Sequence, residues 1–214
     1  GLLCVELDIE QMLFYYTLSL EIGSALRYLY LALEQQETQQ LLKEQNQVLD
    51  YSASHDALTG YYNRAGVMRN ALKMLHQYKK GSRFFAVMGD LDHLKQINDT
   101  FGHDEGDSAI CTAANFLANA LPNGCPLGRT GGDEFTALFF SPDDEKYVPE
   151  TFIQTVKTSC EKYNETSGKP YYVNISIGCH EFFTDGTSDL TAMFKKADEQ
   201  LYLAKKTRRE NVVK

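Results

Sequence analysis

Two glycines lead straight into two acids at Gly131-Gly132-Asp133-Glu134. Apolar runs flank them, Pro126-Leu127-Gly128 before and Phe135-Thr136-Ala137-Leu138-Phe139-Phe140 after. A Gly-Gly pair in that setting predicts the positive φ angles of a tight hairpin turn. The flanking runs then pair as neighbouring antiparallel strands. This joint limits the fold, because a sheet containing a hairpin is not the all-parallel sheet of a doubly wound protein. It also puts Asp133 and Glu134 at the start of a strand, where a hard cation finds oxygen ligands. Taken alone, the residues suit a surface hairpin with solvated acids equally well.

The rest of the pattern interleaves helices with strands. Arg83 to Met88 is a buried-type strand running into Gly89-Asp90-Leu91-Asp92, and Phe135 to Phe140 is another. Tyr172 to Ile177 alternates strictly, the mark of a half-buried strand. Helices are expected over Ala65–Lys79, Leu94–Phe101, Asp107–Leu121, Val148–Tyr163 and Leu190–Lys206. Ser52 to Arg64 mixes turn formers with buried-type residues and reads as the boundary of the main domain. The expectation is an α/β arrangement with a mixed or mainly antiparallel sheet.

Before that boundary, Ile9 to Asp50 lacks proline and has one glycine, Gly23, so it predicts one long helix or two in series. Leu18, Ile22, Ala25 and Leu29 form an apolar stripe. Leu42, Asn46 and Leu49 suit d-a-d positions, where an Asn favours a parallel dimer in fixed register. A single amphipathic helix packed on its own domain is the alternative. Gly1 to Val5 reads as a strand, and with no initial Met the chain is expected to be a fragment of a longer protein. Glu21 and Arg27 interrupt the most apolar stretch, Met12 to Leu33, which argues against membrane contact. The 214 residues carry a net charge of −8. That argues against a nucleic-acid surface, although a nucleotide needs only a few local cations. Five cysteines, none in a C-x-x-C pair, fit free thiols in a reducing cytoplasm and give no zinc signature.

Asp90 and Asp92 close one strand, and Asp133 and Glu134 open another. If the two strands pair, Asp90 and Asp133 come within reach of one ion. Carboxylates that close repel each other. Mg²⁺ (or Mn²⁺) removes the penalty and binds substrate phosphate oxygens as well, an arrangement suited to phosphoryl or nucleotidyl transfer. Asp92 could equally cap the following helix, and Glu134 could be a solvated strand acid.

Four blocks of the chain, in order, resemble the GGDEF family of diguanylate cyclases. Asp56-Ala57-Leu58-Thr59-Gly60-Tyr61-Tyr62-Asn63-Arg64 is similar to the family's opening motif D-x-L-T-x-L-x-N-R. Asp90-Leu91-Asp92-His93-Leu94-Lys95-Gln96-Ile97-Asn98-Asp99, continuing to Gly102-His103-Asp104-Glu105-Gly106-Asp107, resembles D-x-D-x-F-K-x-I-N-D-x-x-G-H-x-x-G-D. Arg129-Thr130 precedes an unaltered G-G-D-E-F. Ala197-Asp198 through Leu201-Tyr202-Leu203-Ala204-Lys205 resembles the closing A-D-x-x-L-Y-x-A-K.

The resemblance implies a palm-like α+β fold, similar to adenylate cyclases and polymerases. Its central, mainly antiparallel five-stranded sheet is flanked by helices and here preceded by the long N-terminal helix. Residues 52–214 would be the cyclase domain and 9–51 a helical or coiled-coil linker. Residues 1–8 would be the remnant strand of an upstream sensory domain of GAF-like type. Two GTP molecules, one per subunit of a homodimer, would condense into cyclic di-GMP. Each 3′-hydroxyl would attack the other's α-phosphate, with two pyrophosphates leaving.

By the same resemblance, Asp90, Asp133 and Glu134 are the catalytic acids, and the side chains of Asp90 and Asp133 with the Leu91 carbonyl are the metal ligands. Asn98 and Asp107 match the guanine readers. Lys95, Lys205 and Arg209 match phosphate-contacting positions, joined by the His93 and Leu94 amides at a helix N-terminus. Read without the family, Asp107 is a helix N-cap, Lys205 and Arg209 are a solvated helix end, and His103 is structural.

Three departures stand out. Many members carry R-x-x-D upstream of the hairpin, where product binds and inhibits. Here the stretch is Pro122-Asn123-Gly124-Cys125, so no product inhibition through that site is expected. Leu94 replaces the commoner Phe, and Arg208 stands where a Gly usually precedes Arg209. The alternative function is a catalytically weak GTP-binding module with a regulatory or dimerising role.

Overall fold

A computed structural model describes residues 8–141, 148–185 and 189–212, the last six by backbone alone. The strand expected within residues 1–8 therefore lies outside the described residues, as do the side chains of Arg208 and Arg209. The chain divides into two compact units, Gly1–Asp50 and Tyr51–Lys214. The first holds most of helix α1 (Ile9–Ser54), none of whose residues is buried. An uninterrupted helix of that length follows from a run with no proline to remove an amide or clash with the preceding turn.

In the second unit, β1 (Tyr62–Asn63), α2 (Arg64–His76), β2 (Arg83–Leu91), α3 (Leu94–Phe101) and α4 (His103–Ala120) are followed by the hairpin β3 (Leu127–Arg129) and β4 (Glu134–Phe140). Then come α5 (Pro149–Thr166), β5 (Ile175–Phe183) and α6 (Leu190–Val212). The five strands form one sheet in the order β1-β3-β4-β2-β5. Every neighbouring pair is antiparallel except β1 with β3. This is the palm-like α+β architecture, and the hairpin forecast its antiparallel core.

Strand alternation divides the core between the two sheet faces. Phe85 and Val87 of β2, with Phe135, Ala137 and Phe139 of β4, pack against Ile110, Ala113 and Leu117 of α4 and Val156 of α5. Phe84 and Ala86, with Leu138, pack against Ala71 and Leu75 of α2 and Phe194 and Ala197 of α6. By the same period of two, Asp90 and Glu134 fall on the α2/α6 face, directly opposite each other in register.

Several local expectations need correction. Neither Gly131 nor Gly132 has a positive φ; among the described residues the glycines that do are Gly60, Gly81, Gly102, Gly124 and Gly168. The turn closes instead through Thr130, whose amide donates to the Glu134 carbonyl at 2.9 Å. Strand β5 starts at Ile175 rather than Tyr172, because the Asn164 side chain occupies both backbone groups of Val173 (2.8 and 3.0 Å). Helix α4 starts at His103, just after Gly102 at φ 90, so Asp107 lies inside the helix and is not its N-cap. Asp92 does not cap α3 either. The cap position is His93, and Asp92 accepts from the Ser176 hydroxyl at 2.7 Å.

Candidate active site

The site gathers where β2 ends and the hairpin turns. The Leu91 amide donates to the Asp133 carbonyl at 2.9 Å, which ties the strand end bearing Asp90 to the hairpin tip. The register sets Glu134, exposed, across from Asp90. From α6, the Lys205 ammonium reaches Asp90 Oδ2 at 2.6 Å. Burial pushes the Asp90 carboxyl above its ordinary range; Lys205 pulls it down, and the nearby charges of Asp133 and Asp92 push it up again. The sheet thus brings Asp90, Asp133 and Lys205 together, with Glu134 alongside.

Immediately after β2, His93 takes a left-handed conformation (φ 62), the only positive φ of a non-glycine among the described residues. That bend lets α3 begin at Leu94, two residues beyond Asp92. Lys95 is exposed in the first turn of α3. The second turn of α3 carries Asn98. A Cβ added at Gly106 would lie 1.8 Å from Asn98 Oδ1, so the carboxamide rests against the α4 backbone one residue from Asp107. Asn98 and Asp107 therefore share one place in the fold, and the exposed Asp107 carboxylate is not spent on capping.

Three groups were missed as site-supporting residues. Arg129 Nε and Nη2 donate to the Gly132 carbonyl (3.0 and 2.8 Å), and Nη1 reaches the Asp56 carboxylate at 3.4 Å. Glu105 receives Lys169 Nζ and the Tyr171 hydroxyl, each at 2.7 Å, which anchors the start of α4 to the segment before β5. Gly106 is the third. Arg129, Asp56, Glu105 and Gly106 all lie inside the matched motifs, and that was their only signal.

The residues fit a divalent cation. Among the described residues no three His, Cys, Asp or Glu side chains group closely enough to hold a metal. The donors present are two carboxylates and a backbone carbonyl, the short protein set that suits Mg²⁺ when substrate phosphates complete its shell. A half-buried carboxylate beside two other acids also favours added positive charge.

A family model described as "Diguanylate cyclase, GGDEF domain" matches residues 53–211. The chain is 30% identical over 176 residues to diguanylate cyclase DgcM of Escherichia coli, covering 82% of this chain and 41% of that protein. It is 31% identical over 176 residues to diguanylate cyclase VdcA of Vibrio cholerae, covering 80% and 50%. The chain thus spans about half or less of these relatives' length. Among solved structures, the diguanylate cyclase SiaD of Pseudomonas aeruginosa, in complex with its activator SiaC, matches with a TM-score of 0.64 at 26% identity over 92% of this chain and 76% of that one. The coiled coil and GGDEF domain of DgcB from Caulobacter crescentus, in complex with c-di-GMP, has a TM-score of 0.65 at 23% identity, covering 83% and 93%; that likeness is one of fold.

Proposed function

Since the chain belongs to the GGDEF domain family of diguanylate cyclases, we propose that it condenses two GTP molecules into cyclic di-GMP with release of two pyrophosphates. The observation that carries this reading is the meeting of Asp90, the hairpin acids and Lys205 at one end of the sheet. Asp90 and Asp133, with the Leu91 carbonyl, would hold Mg²⁺ or Mn²⁺. The cation would offset phosphate charge and polarise the attacking hydroxyl.

Asp107 accepts from the ring N–H and exocyclic amine of guanine, a donor pair adenine lacks, and Asn98 reads the same base. Lys95, Lys205, Arg209 and the His93 and Leu94 amides hold the phosphates. Glu134 lies beside the metal ligands as the second hairpin acid.

One subunit presents one nucleotide, so the reaction needs two chains face to face. Helix α1 supports that pairing. Large apolar side chains stay exposed along it, including Leu42 and Leu49, and a helix that apolar needs a partner. A homodimer through Leu42, Asn46 and Leu49 supplies one, and an upstream sensory domain would act through the same helix. Product does not inhibit through Pro122–Cys125, where a proline and a thiol replace the Arg and Asp that would bind it. No helix among the described residues is long and apolar enough to cross a membrane, and the catalytic domain works in the cytoplasm, where GTP is available.

Asp133→Asn tests the reading. Turnover is expected to fall about a hundredfold or more, since a metal-ligand charge is lost, while the melting temperature holds. Unchanged turnover would remove Asp133 from the reaction.

A further inference from the structure

Lys205 is held on Asp90 by more than a flexible reach. A Cβ at Gly178 would sit 2.2 Å from the Ala197 carbonyl oxygen and 2.3 Å from the Leu201 amide nitrogen. Helix α6 therefore lies directly on the β5 backbone one turn before Lys205. The two partners differ in exposure: the Lys205 side chain is 31% exposed and that of Asp90 only 13%. The ammonium can turn to another anion. The carboxylate, with Asp92 and Asp133 nearby, cannot be left without a cation.

We propose that Lys205 serves two partners in turn: the Asp90 carboxylate while the site lacks a divalent cation, and the nucleotide's phosphates once a cation has taken Asp90. This rests on the reading of Asp90 as a metal ligand. A lysine that only touches phosphate would help nucleotide binding and nothing else. A lysine that exchanges partners also opposes the cation when no nucleotide is present, because cation and ammonium compete for one carboxylate. Nucleotide relieves that competition by giving the ammonium another anion, so metal and GTP load together.

The two roles give Lys205→Met effects of opposite sign. The probes are Mn²⁺, followed by the paramagnetic resonance of the free ion, and α,β-methylene-GTP, which cannot react at its α-phosphate. Without nucleotide, Lys205→Met is expected to bind Mn²⁺ roughly tenfold tighter than wild type, within the ordinary range of site coupling. With Mn²⁺ saturating, it binds the analogue more weakly. Lys206→Met removes the same charge from the exposed neighbouring residue and is expected to leave Mn²⁺ affinity within about twofold, as for a screened surface charge. In an Asp90→Asn background, Lys205→Met no longer tightens Mn²⁺. Lys205→Gln, which keeps a neutral donor to Asp90, falls between wild type and Lys205→Met and serves if the Met variant misfolds by circular dichroism.

Equal Mn²⁺ affinities for wild type and folded Lys205 variants overturn the exchange, as does equal tightening by Lys206→Met. Failure of wild type to bind Mn²⁺ even with the analogue present overturns the metal-site reading itself, and the exchange with it.

Discussion

Arg129 spans two motifs that the sequence leaves apart. Its guanidinium ties the Gly132 carbonyl in the hairpin to Asp56 near the start of the domain. Burial pushes the Asp56 carboxyl up, but the Thr59 amide and hydroxyl together with Arg129 outweigh it and hold it below the ordinary 3.8. A depressed carboxylate contributes stability above its unfolded value and loses it as pH falls through the folded one. Arg129→Gln is therefore expected to cost about 1–3 kcal/mol near neutrality, measured by urea unfolding, with the difference from wild type shrinking below about pH 4. A second residue-scale test is Gly106→Ala. Alanine favours a helix interior by about 1 kcal/mol, so the fold holds. Its Cβ displaces the Asn98 carboxamide, and KM for GTP should rise about tenfold or more with the melting temperature nearly unchanged. An unaltered KM would detach Asn98 from guanine recognition. Neither residue's role was legible in sequence: Asp56 and Arg129 are 73 positions apart, and the Gly106 contact depends on how α3 folds back against α4.

Elements whose extent is fixed by their own residues were legible, and those fixed by partners were not. Helix α1 announced itself by its lack of proline. β1 escaped notice because two residues, Tyr62 and Asn63, pair in parallel with Gly128 and Arg129 and carry no pattern of their own. β5 was shifted because Asn164, on a different element, holds Val173. The two halves of α1 also differ. From Met12 to Leu33 the exposed apolar residues lie on most sides of the helix, whereas beyond Glu34 they thin to Leu41, Leu42, Val48, Leu49 and Tyr51. The proposed two-stranded seam would cover the later half, and the earlier half would need wider cover. Leu49→Asp is expected to weaken self-association about tenfold or more, by burying a charge in the seam, as read by sedimentation. Asn46→Leu should tighten association while mixing registers or oligomer states. Unchanged sedimentation in both variants would free the later half of α1 from any role in pairing.

Across the whole molecule, the mainly antiparallel sheet followed from one hairpin, while the gathering of Asp90, Asp133 and Lys205 required strand register and helix packing together. Burial elsewhere sets how the domain responds to alkali. It pushes the Cys125 thiol to about 11 and that of Cys179 to about 12, and burial with Glu105 pushes Tyr171 to about 12. Each group is raised, so its contribution is fully present below the unfolded value, 9 for the thiols and 10 for the phenol. It is lost as pH climbs toward the folded ones. The urea midpoint should stay level up to about pH 9 and then fall, with Tyr171→Phe less steep than wild type above about pH 10. Cyclase activity is read most directly by chromatography of the products after incubating the chain with GTP and Mg²⁺ at high protein concentration. Cyclic di-GMP and pyrophosphate are expected in a ratio of about one to two, at a rate per chain that rises with protein concentration. GTP that binds but yields no cyclic di-GMP at any concentration would contradict that activity.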